Sequence, residues 1–198
     1  MALDNLRNLN ENGDGRVRLR LSAWDDLRSP ATGSRIDTST GRLDYNFTEC
    51  GIAFDETARY PDEPLCIIQQ MSHSKKLGTP VRPHIHWIQN SADVPNWLIA
   101  YRVYSYGDVV PEFQLAKYDN TIFAYTGWEL AQITTFPNIE CPDDEMLSLE
   151  LDVILYRDSA NASGLFDGPD PYGGPVLYKE FDIHYQRDGF GSTYEFKK

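Results

Sequence analysis

Apolar and polar residues alternate with period two along most of this chain, the signature of strands that bury one face. The pattern predicts strands near residues 16–21, 43–47, 51–54, 65–71, 81–89, 97–106, 112–118, 122–126, 130–136, 146–156, 176–186 and 192–196. In the longest of them Leu147, Leu149, Leu151, Val153 and Leu155 take one side. Ser148, Glu150 and Asp152 take the other, which predicts a solvated face. Trp97, Ile99, Tyr101 and Val103 likewise share one side. Gly78-Thr79-Pro80, Pro95-Asn96 and Pro142-Asp143-Asp144 punctuate the strands, and Asp119-Asn120 between two aromatic runs predicts a hairpin. Residues 22–42, with Pro30, Gly33 and Gly41, read as a long connection that covers a sheet edge. Residues 160–175 read as a long loop between the last two core strands. Leu3, Leu6 and Leu9 are spaced for a short helix or arm at the N-terminus. Many short strands without alternating helices predict an all-β fold, an antiparallel β-sandwich of jelly-roll type. Residues 1–15 would be an N-terminal arm or short helix, and 16–198 a single domain.

Composition narrows the function classes. The chain has 198 residues, 13% of them aromatic, and a formal charge of −12, from 18 basic and 30 acidic side chains. That charge repels phosphate backbones and anionic membranes, so direct nucleic-acid or membrane binding is not expected. No apolar run is long enough for a transmembrane helix, and the polar N-terminus lacks a secretory signal pattern. Synthesis in a cytoplasm follows, and Cys50, Cys66 and Cys141, with no Cys-x-x-Cys pair, are expected as reduced thiols.

Two segments carry the candidate chemistry. In Arg82-Pro83-His84-Ile85-His86-Trp87 the two histidines share a face opposite Ile85 and Trp87. In Phe181-Asp182-Ile183-His184-Tyr185-Gln186, Asp182, His184 and Gln186 share a face opposite three apolar residues. A cupin-like metalloenzyme would use His84, His86 and a distant His184. The carboxylate and glycines that accompany a cupin His-x-His pair are missing, so hydrogen bonding within the sheet is preferred and no metal or other cofactor is expected. Asn10, Asn12, Asp14 and Gly15 resemble the start of a calcium loop, but Leu21 stands where the bidentate Glu belongs. Asp25-Asp26 and Asp143-Asp144 are adjacent in sequence, so their side chains diverge and make poor acid–base couples. No nucleophile elbow or phosphate loop occurs. Trp24, Trp87, Trp97 and Trp128 with the many Tyr offer a sugar-stacking platform, the alternative of a carbohydrate-binding sandwich.

Three stretches together resemble a family of tailed-bacteriophage and prophage virion proteins: Trp24-Asp25-Asp26-Leu27-Arg28, Arg82-Pro83-His84-Ile85-His86-Trp87, and a third. The third runs from Leu155-Tyr156-Arg157-Asp158 to Phe181-Asp182-Ile183-His184-Tyr185-Gln186, then Asp188, Gly191-Ser192, Glu195 and Lys198. The resemblance spans about Trp24 to Lys198 and implies no catalytic, cofactor or metal residue. It implies a non-catalytic structural protein of the virion, made in the bacterial host cytoplasm. Such a protein would decorate the head or join tail and fibre components, as a homo-oligomer, with a trimer favoured. Its partners would be other virion proteins (capsid, collar, tail or fibre), with a glycan as a further ligand.

Overall fold

The computed structural model describes residues 9–12, 16–19, 23–36, 43–46, 50–89, 93–121, 130–142 and 149–187. The expected strands at 122–126 and 192–196, Trp128, Asp143-Asp144 and the terminal Gly191-Ser192, Glu195 and Lys198 lie outside the described residues.

The architecture is all-β, with antiparallel sheets arranged as a sandwich. One sheet has five strands: β4 (Arg35–Ile36), β7 (Leu65–Gln70), β9 (Trp97–Ser105), β10 (Gln114–Lys117) and β13 (Leu149–Arg157), in the order β10-β9-β13-β7-β4. The other has seven: β3 (Ala23–Pro30), β5 (Asp44–Asn46), β6 (Gly51–Phe54), β8 (Arg82–Gln89), β11 (Asn120–Thr121), β12 (Leu130–Thr135) and β14 (Val176–Arg187). Its path is β11-β12-β8-β14-β6-β5, with β3 also paired to β14. A separate two-stranded sheet joins β1 (Leu9–Asn12) to β2 (Arg16–Leu19). The described part of the N-terminal arm is therefore extended chain, not the helix suggested by the leucine spacing.

The two main sheets meet through the faces that alternation assigns to the interior. Ile85, Trp87, Trp97, Ile99, Leu155, Phe181 and Ile183 are fully buried. Trp97 meets Trp87 edge-on at 5.8 Å and Phe54 at 5.4 Å. Such aromatic pairs add about 0.5–1.5 kcal/mol each beyond burial. A bulge in β14 keeps this face apolar. Tyr178 pairs with Trp87, but the next registered pair is Glu180 with His86, leaving Lys179 as the extra residue. Val176 and Tyr178 before the bulge, and Phe181, Ile183 and Tyr185 after it, thus all point inward.

Two expectations are corrected. The segment expected as a connection over 22–42 contains β3, an eight-residue strand on β14. Each of its faces mixes apolar and polar residues, Trp24 with Asp26 and Arg28 on one and Leu27 with Asp25 and Ser29 on the other, and it ends at Pro30, so no clean alternation marks it. Asp119-Asn120 is a crossing between sheets rather than a hairpin turn. Tyr118 still donates its N–H to Trp97 of β9 at 3.1 Å, while Asp119 donates to Thr135 of β12 at 2.8 Å. The long loop is present between β13 and β14, and buried Arg157 holds it. Its guanidinium pairs with Asp170 at 2.7 Å and donates to the carbonyls of Asp55 and Gly174.

Candidate functional site

The three sequence stretches that opened the functional question fold as neighbouring strands. Trp24–Arg28 lies in β3, Arg82–Trp87 in β8, and Phe181–Gln186 in β14 between them. The register places Asp182 opposite both His84 and Arg28, Glu180 opposite His86, and His184 opposite both Arg82 and Asp26. Directly paired residues share a face, so these groups form one polar cluster on the outer side of the seven-stranded sheet, behind buried Trp87.

At its centre His84 Nε2, His86 Nε2 and Asp182 Oδ2 converge. The two imidazole nitrogens are 3.1 Å apart, and they lie 3.5 and 3.2 Å from the carboxylate oxygen. The Asp182 side chain is only 3% exposed, and its other oxygen, Oδ1, is buried with no hydrogen-bond partner among the described residues. Burial opposes the charge on Asp182, but the hydrogen bonds and charges of His86 and His84 outweigh it and hold the carboxyl well below the usual carboxylate range. Arg28 Nε reaches Asp182 at 3.4 Å and Glu180 at 2.8 Å. Glu180 is pushed above its ordinary pKa by burial and by the charge of Asp182, against the pull of Arg28.

His184 belongs to the same face but not to the convergence point. Its ring packs edge-on against His84 at 4.6 Å, while its Nε2 turns to Asp26 Oδ1 at 3.1 Å. The group that meets His84 and His86 is Asp182, where the sequence-based metal set had His184. Beside the cluster lies a depression of about 370 Å³, lined among others by Arg82, His84, Asp119, Thr135, Phe136 and His184. Asp25 and Asp26 diverge as expected: Asp25 accepts from Tyr185 and pairs with Arg187, while Asp26 pairs with His184. Asn10 and Asn12 of the calcium-loop reading sit in strand β1, paired with Arg18 and Arg16, while Asp14 and Gly15 lie outside the described residues.

The four-tryptophan platform does not form. Trp87 and Trp97 are completely buried, and Trp24, half exposed, is stacked by Arg82 at 4.3 Å. A different aromatic surface exists that sequence reasoning missed, on the outer face of the five-stranded sheet. Arg102 Nε binds Asp152 at 2.7 Å and the guanidinium lies 4.4 Å from the Phe113 ring. Tyr104 donates to Asp152 at 3.4 Å. Glu150 accepts from the Tyr106 hydroxyl and, with its charge, holds that phenol above its ordinary range. Glu150 and Asp152 are largely covered by these neighbours, whereas the sequence pattern predicted a solvated face. The available signal was Arg102-x-Tyr104, which alternates with the core residues of β9 just as Glu150-x-Asp152 does in β13. The three cysteines are free thiols.

No family model matches the chain, and no curated protein matches it in sequence. Among solved structures it is similar to a xylan-binding module, CBM15, with a TM-score of 0.39 and 11% identity over 82% of this chain and 97% of that one. It is similar to TmCBM27, a carbohydrate-binding module described for mannan recognition, with a TM-score of 0.39 and 7% identity over 83% of this chain and 98% of that one. A third is TmCBM61 in complex with β-1,4-galactotriose, at a TM-score of 0.30 and 12% identity over 81% and 86% of the two chains. With scores and identities this low, no ligand and no site carries across from them.

Proposed function

We propose that this chain is a non-catalytic binding module that recognises a neutral glycan on the outer face of its five-stranded sheet. The observation that supports this reading is the cluster of Arg102, Tyr104, Tyr106, Phe113, Glu150 and Asp152. Tyr106, 58% exposed, offers a flat ring for the C–H face of a sugar, and Phe113, 37% exposed with the Arg102 guanidinium stacked on it, extends the apolar surface beside it. Around them the partly exposed Arg102 guanidinium and the Tyr104 and Tyr106 hydroxyls supply polar groups for sugar hydroxyls, and the buried carboxylates Asp152 and Glu150 hold these groups in place. The net charge of −12 selects against anionic polysaccharides. Calorimetry against neutral polysaccharides tests this. Binding should be saturable, and Tyr106→Ala with Phe113→Ala should weaken it at least tenfold without changing the circular dichroism spectrum. Absence of binding to every neutral polysaccharide tried, or an unchanged Kd in the double variant, would refute it.

A second reading is compatible with the first: a structural module of a tailed-phage particle. Its support is the family resemblance, of whose stretches Trp24–Arg28, Arg82–Trp87 and Phe181–Gln186 occupy the adjacent strands β3, β8 and β14, while Leu155–Arg157 lies in β13 of the other sheet. In that setting the module would decorate the head or join tail and fibre parts as a homo-oligomer, presenting its glycan face outward. Mass spectrometry of purified particles decides this reading, since a virion protein must be present at fixed stoichiometry.

A further inference from the structure

We propose that His84, His86 and Asp182 form a binding site for one divalent first-row transition metal, bridging β8 to β14. It is independent of the glycan reading, because it lies on the opposite sheet.

The geometry carries the inference. Three ligand atoms from two strands face a common point, with separations of 3.1, 3.2 and 3.5 Å. Metal–ligand bonds of about 2.1 Å require ligand–ligand edges of about 3.0 Å in an octahedron and about 3.4 Å in a tetrahedron. The observed edges fall across that range. An ion about 2.1 Å from all three would sit roughly 0.9 Å above their plane, without moving any ligand atom. Among the described residues this trio meets a metal's requirement for clustered donor atoms.

The second observation is the orphan oxygen. Buried polar atoms nearly always find a partner, yet Asp182 Oδ1 has none while the rest of its side chain is packed away. A cation at the convergence point would neutralise this buried carboxylate, whose Oδ1 no donor reaches among the described residues. Arg28 holds the ligating oxygen Oδ2 from outside, as carboxylate ligands commonly are held.

Donor chemistry selects the metal class. Two imidazoles and one carboxylate suit zinc, iron, cobalt or nickel rather than magnesium or calcium, which prefer oxygen. Three protein ligands leave coordination positions open, and His86 provides the route to them, with 26% of its side chain exposed. Glu180 is registered opposite His86 on β14, with its carboxylate paired to Arg28.

The test uses untagged, chelator-treated full-length protein titrated with Co2+ and Zn2+. One Co2+ per chain should bind and give visible d–d absorption, which Zn2+ displaces and excess Mg2+ or Ca2+ does not. Asp182→Asn and His86→Gln should each weaken binding at least tenfold. His184→Gln should bind within twofold of wild type, because its Nε2 faces Asp26. Circular dichroism checks that each variant is folded. His86→Gln, altering a partly exposed side chain, remains informative if Asp182→Asn does not fold. Failure of wild type to bind one equivalent, unchanged affinity in His86→Gln, or an equal loss in His184→Gln would each overturn the proposal.

Discussion

Replacing Arg157 with Met should be among the most damaging single changes in this protein, for reasons that can be counted. The side chain is fully buried and paired with Asp170, itself 2% exposed, at 2.7 Å. Its second guanidinium nitrogens donate to the carbonyls of Phe54, Asp55, Tyr172 and Gly174. Met fills similar space but supplies no donor, so a buried carboxylate loses its countercharge and several carbonyls lose partners. Breaking a buried pair from one side costs about 3–5 kcal/mol. For a domain of this size each kcal/mol moves Tm by about 2–4 °C, so a fall of roughly 6–20 °C is expected. Urea and thermal unfolding, followed by tryptophan fluorescence and by circular dichroism, give the number and check that the two probes coincide. Replacing both partners, Arg157→Met with Asp170→Leu, removes the unpaired charge and should recover part of the loss. A Tm for Arg157→Met within about 2 °C of wild type would refute the reasoning. So would a double variant no more stable than the single one, since the penalty would then not come from the stranded carboxylate.

Gly51→Ala should destabilise by about 1–3 kcal/mol. The new Cβ would lie 2.7 Å from the backbone oxygen of Tyr178 and 2.7 Å from Leu177 Cγ, and that oxygen is fixed in the β6–β14 pairing; a wild-type urea midpoint would contradict this. Asp182→Asn should show a pH signature in metal-free buffer. The folded carboxyl titrates below its unfolded value, so its contribution is present above pH about 3.9 and lost as pH falls through the folded value. The stability gap between wild type and variant should therefore narrow below pH about 4, and a constant gap from pH about 3 to 7 would count against it.

Much of the fold was legible because most strands bury one face only. The alternation in 81–89, 97–106 and 176–186 matched β8, β9 and β14 to within a residue or so, and the split of His84 and His86 from Trp87 holds. What failed was information that no local pattern carries. β3 carries one large apolar residue on each side, Trp24 and Leu27, among polar ones, so its strand character comes from pairing with β14 and not from its own alternation. Asp119-Asn120 has turn chemistry, and turn chemistry does not encode whether the chain returns to the same sheet or crosses to the other. Trp87 and Trp97 alternate in phase with Ile85 and Ile99, so their place on the apolar face was legible; that they meet each other edge-on across the two sheets was not.

The choice of Asp182 over His184 beside the histidine pair shows most clearly where the sequence runs out. It depends on register, and register here depends on one extra residue. Continued without the bulge from Tyr178 opposite Trp87, the ladder would set Lys179 against His86 and Phe181 against His84. His86 would then face a cation and His84 an aromatic ring, while Phe181, Ile183 and Tyr185 would turn to solvent. The burial of those three residues fixes the bulge, because exposing them would forfeit about 1.5–3 kcal/mol per side chain. The core on one side of β14 therefore dictates which carboxylate meets the histidines on the other, a dependence that runs through the sheet and through a hundred residues of chain between the two motifs.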